Sequence, residues 1–259
     1  ILSPTIGRDD QNGLDIKLPE YLNLATNYDA TLTPRWRSKR GLMVDSEFRY
    51  MTGNSRGIFT GTYLPNDDIS GRDRSFVSFQ DVTTFSRHWY GSANINHVSD
   101  VDYFADFGDS IAATSISLIN STVGMYGRGK YWSASLTAEQ WQIANSQVRP
   151  GDEPYRRLPR LQAAANRPLT HWLEAGLTGE MVRFSHETRD AGGSRFDIQP
   201  YLRAPLSGGA WFLTPQIAWR YTRYSLEDSL APASGDTTLS RSLPVMSLDA
   251  GAFFERNYD

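Results

Sequence analysis

The chain has 259 residues, a formal net charge of -3 and a pI near 5.8, a balance that excludes a general nucleic-acid binder. It has no cysteine, which excludes thiolate zinc sites and disulfides within these residues, and it has no apolar run of the roughly 18 residues that a membrane-spanning helix needs. Mean hydropathy is -0.47, yet aromatics reach 12 %, with seven Trp and thirteen Tyr, too many for a disordered chain.

In chain order, residues 1–13 (ILSPTIGRDDQNG) read as an entry segment, and residues 14–259 as one unit of strands. Three strand-like runs lie between Asp15 and Met51. Ile16, Leu18, Leu22 and Leu24 share one parity against Asp15, Lys17, Tyr21 and Asn23. Ala30, Leu32, Pro34 and Trp36 alternate against Asp29, Thr31, Thr33 and Arg35. Leu42, Val44, Phe48 and Tyr50 alternate against Asp45, Glu47 and Arg49. Successive strand side chains point to opposite faces, so each run has one apolar and one charged face. Pro19 and Pro34 fall inside the first two runs. A proline cannot donate to a ladder, so two adjacent strands that each carry one predict a weakly paired seam.

Further strands are predicted at Gly57–Leu64, Arg74–Phe85, Trp89–Val98, Ile111–Val123 and Tyr155–Asn166. Others are centred on Trp132–Glu139, Leu173–Met181, Phe196–Leu206, Trp211–Thr222 and Met246–Glu255. That makes about thirteen at hairpin spacing. Longer connections fall at 65–73, 99–110, 144–153, 187–194 and 225–243. Within 99–110, Val101, Phe104 and Phe107 stand at helical spacing and predict a short helix, with Asp100 or Asp102 as its cap.

Alternation alone fits a soluble sandwich as well as a membrane barrel. Full charges in mid-strand (Glu174, Glu180, Asp197, Arg203, Arg220, Asp249) and aromatics ending the apolar parity (Trp36, Tyr50, Trp132, Trp211) favour a barrel wall. So do strands of about ten residues in unbroken hairpin succession. The predicted fold class is all-β: a partial, antiparallel, meandering transmembrane β-barrel.

Chemical motifs are weak. Gly124-Met-Tyr-Gly-Arg-Gly-Lys130 matches G-x-x-x-x-G-K, but Tyr131 stands where Ser or Thr belongs and a strand follows, so it reads as a hairpin turn. Asp100, Asp102, Asp106 and Asp109 lack the calcium-loop pattern, and His88, His97, His171 and His186 show no i, i+4 pair. No G-x-S-x-G turn is present. No catalytic residue, metal or cofactor is expected, although an outer-membrane hydrolase or a general porin-type channel stays open as an alternative.

The run LPEYLNLATNYDATLTPRWRSKRGLMVDSEFRY resembles the opening barrel strands of the LPS-assembly outer-membrane protein family LptD (organic solvent tolerance protein). That family shows L-P-Y-Y-x-N-I-A-P-N-x-D-A-T-[LI]-T-P, then R-G and E-F-R-Y. The matching residues include Leu18, Pro19, Tyr21, Asn23, Ala25, Asn27, Asp29, Ala30, Thr31, Thr33, Pro34, Arg40, Gly41 and Glu47 to Tyr50. Tyr63-Leu-Pro65, Val98-Ser-Asp100, Tyr103-Phe104, Asp106-Phe107 and Phe254-Glu-Arg256 are similar to the family further on, whereas Glu20 and Thr26 depart from it. The resemblance implies that residues 14–259 are the N-terminal half of a larger barrel in the outer membrane of a Gram-negative bacterium, that residues 1–13 enter it from a preceding periplasmic domain, and that the family's cysteines lie outside this segment. It implies insertion of lipopolysaccharide into the outer leaflet, a plug lipoprotein of the LptE type in the lumen, and a periplasmic bridge protein that delivers the lipid. It also implies a lateral gate at the first strand, for which Pro19, Tyr21, Asn23, Asn27, Asp29 and Pro34 are the candidate residues.

Overall fold

The computed structural model describes residues 2–189, 192–227 and 235–255. The chain divides into two compact units: Ile1–Met125 with Ala138–Arg156, and Tyr126–Thr137 with Arg157–Asp259. Within each unit the strands pair antiparallel, most of them with a neighbour in the chain.

The first unit opens with β1 (Thr5–Asp9), β2 (Gly13–Lys17), β3 (Glu20–Ala25), β4 (Tyr28–Arg37) and β5 (Gly41–Met51). It continues with β6 (Ser55–Leu64), β7 (Arg74–Thr84) and β8 (Trp89–Val98), then two short helices, α1 (Tyr103–Phe107) and α2 (Ile111–Thr114). Parts of β9 (Leu118–Arg128) and β10 (Trp132–Ile143) complete it. The expected entry segment thus contains a strand, β1, in a hairpin with β2. Gly13 closes that hairpin at φ 78°, a conformation that suits glycine, and a Cβ there would collide with the Ser38 hydroxyl.

Cross-strand register explains the two faces. Leu22, Ala30, Phe48, Phe59, Phe79 and Ile95 are successive partners across β3 to β8, and none is buried. The adjacent row on the other face is Tyr21, Thr31, Glu47, Thr60, Ser78 and Asn96. A soluble sandwich would bury the apolar row. Here that row stays uncovered, as in a membrane-facing wall.

The buried core lies on the polar parity instead. Met43, Leu64 and Val98 share that face with Thr62 and Asn96, and the segment after β8 folds back over it. Tyr103, Phe104 and Phe107 of α1 pack there with Ile119 and Ala144, with Phe76 half-buried against them. Burial pushes the Tyr103 hydroxyl up to about 12. The expected strand at Ile111–Val123 is corrected here: it starts only at Leu118. Ser110 accepts from the Ala113 amide through its hydroxyl at 3.1 Å and from the Thr114 amide through its carbonyl at 3.0 Å. That local bonding holds residues 111–114 in a helical turn.

The second unit holds the remaining parts of β9 and β10 and the strands β11 (Arg156–Pro168), β12 (Glu174–Ser185), β13 (Gly193–Arg203), the two-residue β14 (Leu206–Ser207), β15 (Trp211–Leu226) and β16 (Thr238–Ala252). Gly129 donates to the Trp132 carbonyl at 2.8 Å, so the G-x-x-x-x-G-K match is the β9–β10 hairpin turn. Ala175, Leu202, Ile217 and Met246 form one cross-strand row, the last three exposed. The opposite face carries ion pairs. Arg203 meets Glu174 at 2.9 Å, Glu180 takes Arg160 at 2.7 Å and also Arg195, and Asp197 accepts from Arg220 at 2.9 Å and from the Thr222 hydroxyl at 2.6 Å. The connection expected at 225–243 lies partly outside the described residues, as does that at 187–194. Sixteen strands are described. Joining β2 to β3 and setting aside β1 and β14 recovers the thirteen read from sequence.

Candidate functional site

The opening strand is one strand broken in two. β2 lies along Arg35–Arg37 of β4, and β3 lies along Tyr28–Leu32 of the same strand. Leu18 and Pro19 separate the halves and face Thr33 and Pro34. The Leu18 amide donates to the Pro34 carbonyl at 3.0 Å, and the Pro19 carbonyl accepts from the Leu2 amide at 2.9 Å. Pro34 has no amide to return the Leu18 bond, and Pro19 turns its carbonyl away from β4 to Leu2, so no reciprocal ladder pair joins this stretch to β4. β3 adds a register shift between Asn23 and Ala25, and β4 is its only strand partner among the described residues. The β3 half, an edge strand cut off by the break and bulged, is held by few backbone bonds.

Four of the six candidate residues line one cleft of about 970 Å³ on the polar face: Tyr21, Asn23, Asn27 and Asp29. Asp29 accepts from Arg49 twice, at 2.8 and 3.0 Å, and from the Tyr21 hydroxyl at 3.3 Å. The Asn27 carbonyl accepts from the Met51 amide at 2.8 Å and holds the β3–β4 turn against β5. Pro19 and Pro34 lie outside the cleft, at the break.

At the other end of the same strands a second constellation gathers. Arg74 reaches Asp100 at 2.6 Å, Asp106 at 2.9 Å and Asp67 at 3.2 Å. Arg40 reaches Asp67 at 2.9 Å and Asp106 at 3.0 Å. Arg35 reaches Asp15 and Asp109, and Lys17 reaches Asp109 at 2.9 Å. The Phe107 ring stacks under the guanidinium groups of Arg37, Arg40 and Arg74, each within 4.9 Å of its centroid. Burial pushes the Asp67 carboxyl up, but the Ile69 amide, the Ser70 hydroxyl and Arg40 outweigh it, and its pKa lies below the ordinary value.

These contacts correct the expected helix cap. Asp102 occupies the cap position of α1 without a side-chain cap bond, and Asp100 accepts from the Asp102 amide at 3.1 Å while its main partner is Arg74. At Asp100 the guanidinium of Arg74 adds a full-charge partner beside that amide bond. The sequence reading missed Arg35, Arg37, Arg40 and Arg74. The available signal was complementarity between the basic run Arg35-Trp-Arg-Ser-Lys-Arg40 and the acidic run Asp100–Asp109.

An antiparallel meander with an uncovered apolar face and paired charges on the other defines the class: part of the wall of a β-barrel. The model of the family LptD, LPS transport system D, matches residues 72–259. The LPS-assembly protein LptD of Xanthomonas campestris pv. campestris (strain 8004) is 42 % identical over 288 residues, covering 99 % of this chain and 36 % of that protein. That of Xanthomonas euvesicatoria pv. vesicatoria (strain 85-10) is also 42 % identical over 288 residues, with the same coverage. That of Xylella fastidiosa (strain Temecula1) is 37 % identical over 278 residues, covering 99 % of this chain and 35 % of that protein. The chain belongs to the LptD family, and it spans about a third of the length of the curated relatives it matches.

Proposed function

We propose that this chain forms part of an outer-membrane barrel that inserts lipopolysaccharide into the outer leaflet, and that the broken β2–β3 strand is one side of its lateral gate. The observation that carries this reading is the break at Leu18–Pro19 opposite Pro34, which leaves β3 with β4 as its strand partner among the described residues. A gate between strands must open at low cost, and in lipid an ordinary ladder resists opening because unpaired backbone groups find no water. A strand that already forgoes ladder bonds has less to lose. Tyr21, Asn23, Asn27 and Asp29 offer hydroxyl, amide and carboxylate groups to a passing polar headgroup, while the apolar row beside them suits acyl chains. By the family resemblance, a plug lipoprotein fills the lumen and a periplasmic bridge protein hands over the lipid.

Photo-crosslinking in cells tests the gate. A photoreactive residue at Tyr21 or Asn23 of the full-length protein is expected to capture lipopolysaccharide, and one at Gln199, on the polar face of the second unit, is not. No adduct at the first two positions, or equal adducts at all three, overturns the reading.

A further inference from the structure

Lys17 and Arg35 are direct register partners across the β2–β4 ladder. Two cations in that relation repel each other and weaken the pair. Lys17 is also the last residue of β2, beside the break at Leu18–Pro19. Asp15 answers Arg35 from within β2 with hydrogen bonds, whereas it acts on Lys17 through its charge alone. The carboxylate that answers both cations comes from far along the chain. Asp109 accepts from Lys17 Nζ at 2.9 Å through Oδ2, and from Arg35 Nη2 at 2.9 Å through Oδ1.

We propose that Asp109 is a positioning residue, a clasp that holds the opening seam shut by neutralising the Lys17–Arg35 pair. Its backbone is fixed. Two residues before it, Phe107 is buried beneath three guanidinium groups, and at Gly108 a Cβ would collide with the Phe104 carbonyl. Its side chain is free to let go, since Asp109 is 62 % exposed and Lys17 28 % exposed, against 7 % for Arg35. An anchored backbone with a solvent-reachable carboxylate makes a contact that forms and releases without unfolding the core. With the clasp engaged, β2 is bound to β4; with it released, the like charges push the two apart next to the break.

Hydrogen exchange on the full-length barrel in detergent tests this, read at the amides of residues 16–18 and 35–37. Asp109→Asn is expected to speed exchange there by about two- to fivefold, the range that a cross-strand pair commands. Adding Lys17→Met removes the repulsion, so the double variant is expected to return to the wild-type rate. Raising the ionic strength is expected to speed exchange at these amides in the wild type and not in the double variant. This second readout needs no single substitution to fold well. Unchanged exchange in Asp109→Asn overturns the clasp, as does equally fast exchange in the double variant, which would make Asp109 a mere anchor of its own segment.

The consequence for transport rests on the gate reading, and surface lipopolysaccharide in the same strains separates the two. Faster exchange with undisturbed delivery overturns the gate and leaves the clasp standing. Unchanged exchange overturns the clasp whatever delivery does.

Discussion

The amide of Leu18 donates to the carbonyl of Pro34 at 3.0 Å, and Pro34 has no amide to return the bond. The two prolines of the opening strands are therefore neighbours across the same seam. Pro34 subtracts a donor from the ladder there, while Pro19 lies beside it with its carbonyl turned outward to Leu2.

Pro19→Ala, Pro34→Ala is expected to strengthen strand pairing at the seam, the bond recovered from position 34 to the Leu18 carbonyl being worth about 0.5–1.5 kcal/mol in water and more in lipid. The full-length barrel should reach normal abundance while surface lipopolysaccharide falls. Surface labelling beside barrel abundance, in cells carrying only the altered protein, makes the measurement. Normal delivery at normal abundance would sink the gating role, and lost abundance would assign the prolines to assembly.

Leu202 and Arg203 are adjacent in β13 and face opposite ways. Leu202 pairs with Ile217 on the exposed apolar face, and Arg203 with Gln216 and Glu174 on the other. Leu202→Arg is expected to cost about 2–4 kcal/mol at mid-membrane depth. Arg203→Leu leaves Glu174 with Asn166 as its partner and is expected to cost less. Heat-modifiable barrel in membranes reports assembly; equal losses for the two variants would refute the assignment of faces.

Asp67 predicts an acid limit. Its folded pKa lies below the ordinary 3.8, so its contribution is fully present above about pH 4 and is lost as pH falls through the lowered value. Exchange in the 65–73 connection, where Asp67 meets Arg40, Arg74 and Ser70, should rise on acidification below that point. Asp67→Asn should be destabilised by about 1–3 kcal/mol at neutral pH and show a shallower acid limb. An unaltered acid limb in that variant would assign the transition to other carboxylates.

Two glycines of β12 should part company. A Cβ at Gly176 would run into the Tyr201 ring, its register partner, whereas the nearest atom to a Cβ at Gly179 is the Asp197 carbonyl at 3.7 Å. Gly176→Ala is expected to cost about 1–3 kcal/mol through overpacking. Gly179→Ala is expected to be neutral or slightly stabilising through the unfolded chain. Urea midpoints of the refolded barrel decide it, and similar midpoints for both would contradict the packing described for Tyr201.

Strands and their faces were legible because strand geometry has a period of two, and a period can be read without knowing neighbours. Leu202 beside Arg203, or Leu22 beside Tyr21 and Asn23, announce opposite faces from the residue types alone. The prolines were legible for a similar reason, since a missing amide is a property of one residue. That alternation could not tell a sandwich from a barrel, because both alternate. What separates them is whether the apolar row is covered, and the open row through Phe48, Phe59 and Ile95 answers that only in three dimensions.

The arginine–aspartate constellation was invisible for the converse reason. Asp109 meets Arg35 across a separation of 74 residues and Lys17 across 92. Nothing local ties Asp100 to Arg74 rather than to the helix cap beside it, because a short-range rule weighs only nearby amides. By itself the amino-acid order determined the strands, their two faces, the interrupted opening pair and the short aromatic helix, each a consequence of backbone geometry acting over a few residues. Only the tertiary structure decided that this helix folds back onto the polar face and brings its carboxylates to the seam, since charges so distant in sequence meet only after the sheet has fixed where its strands end.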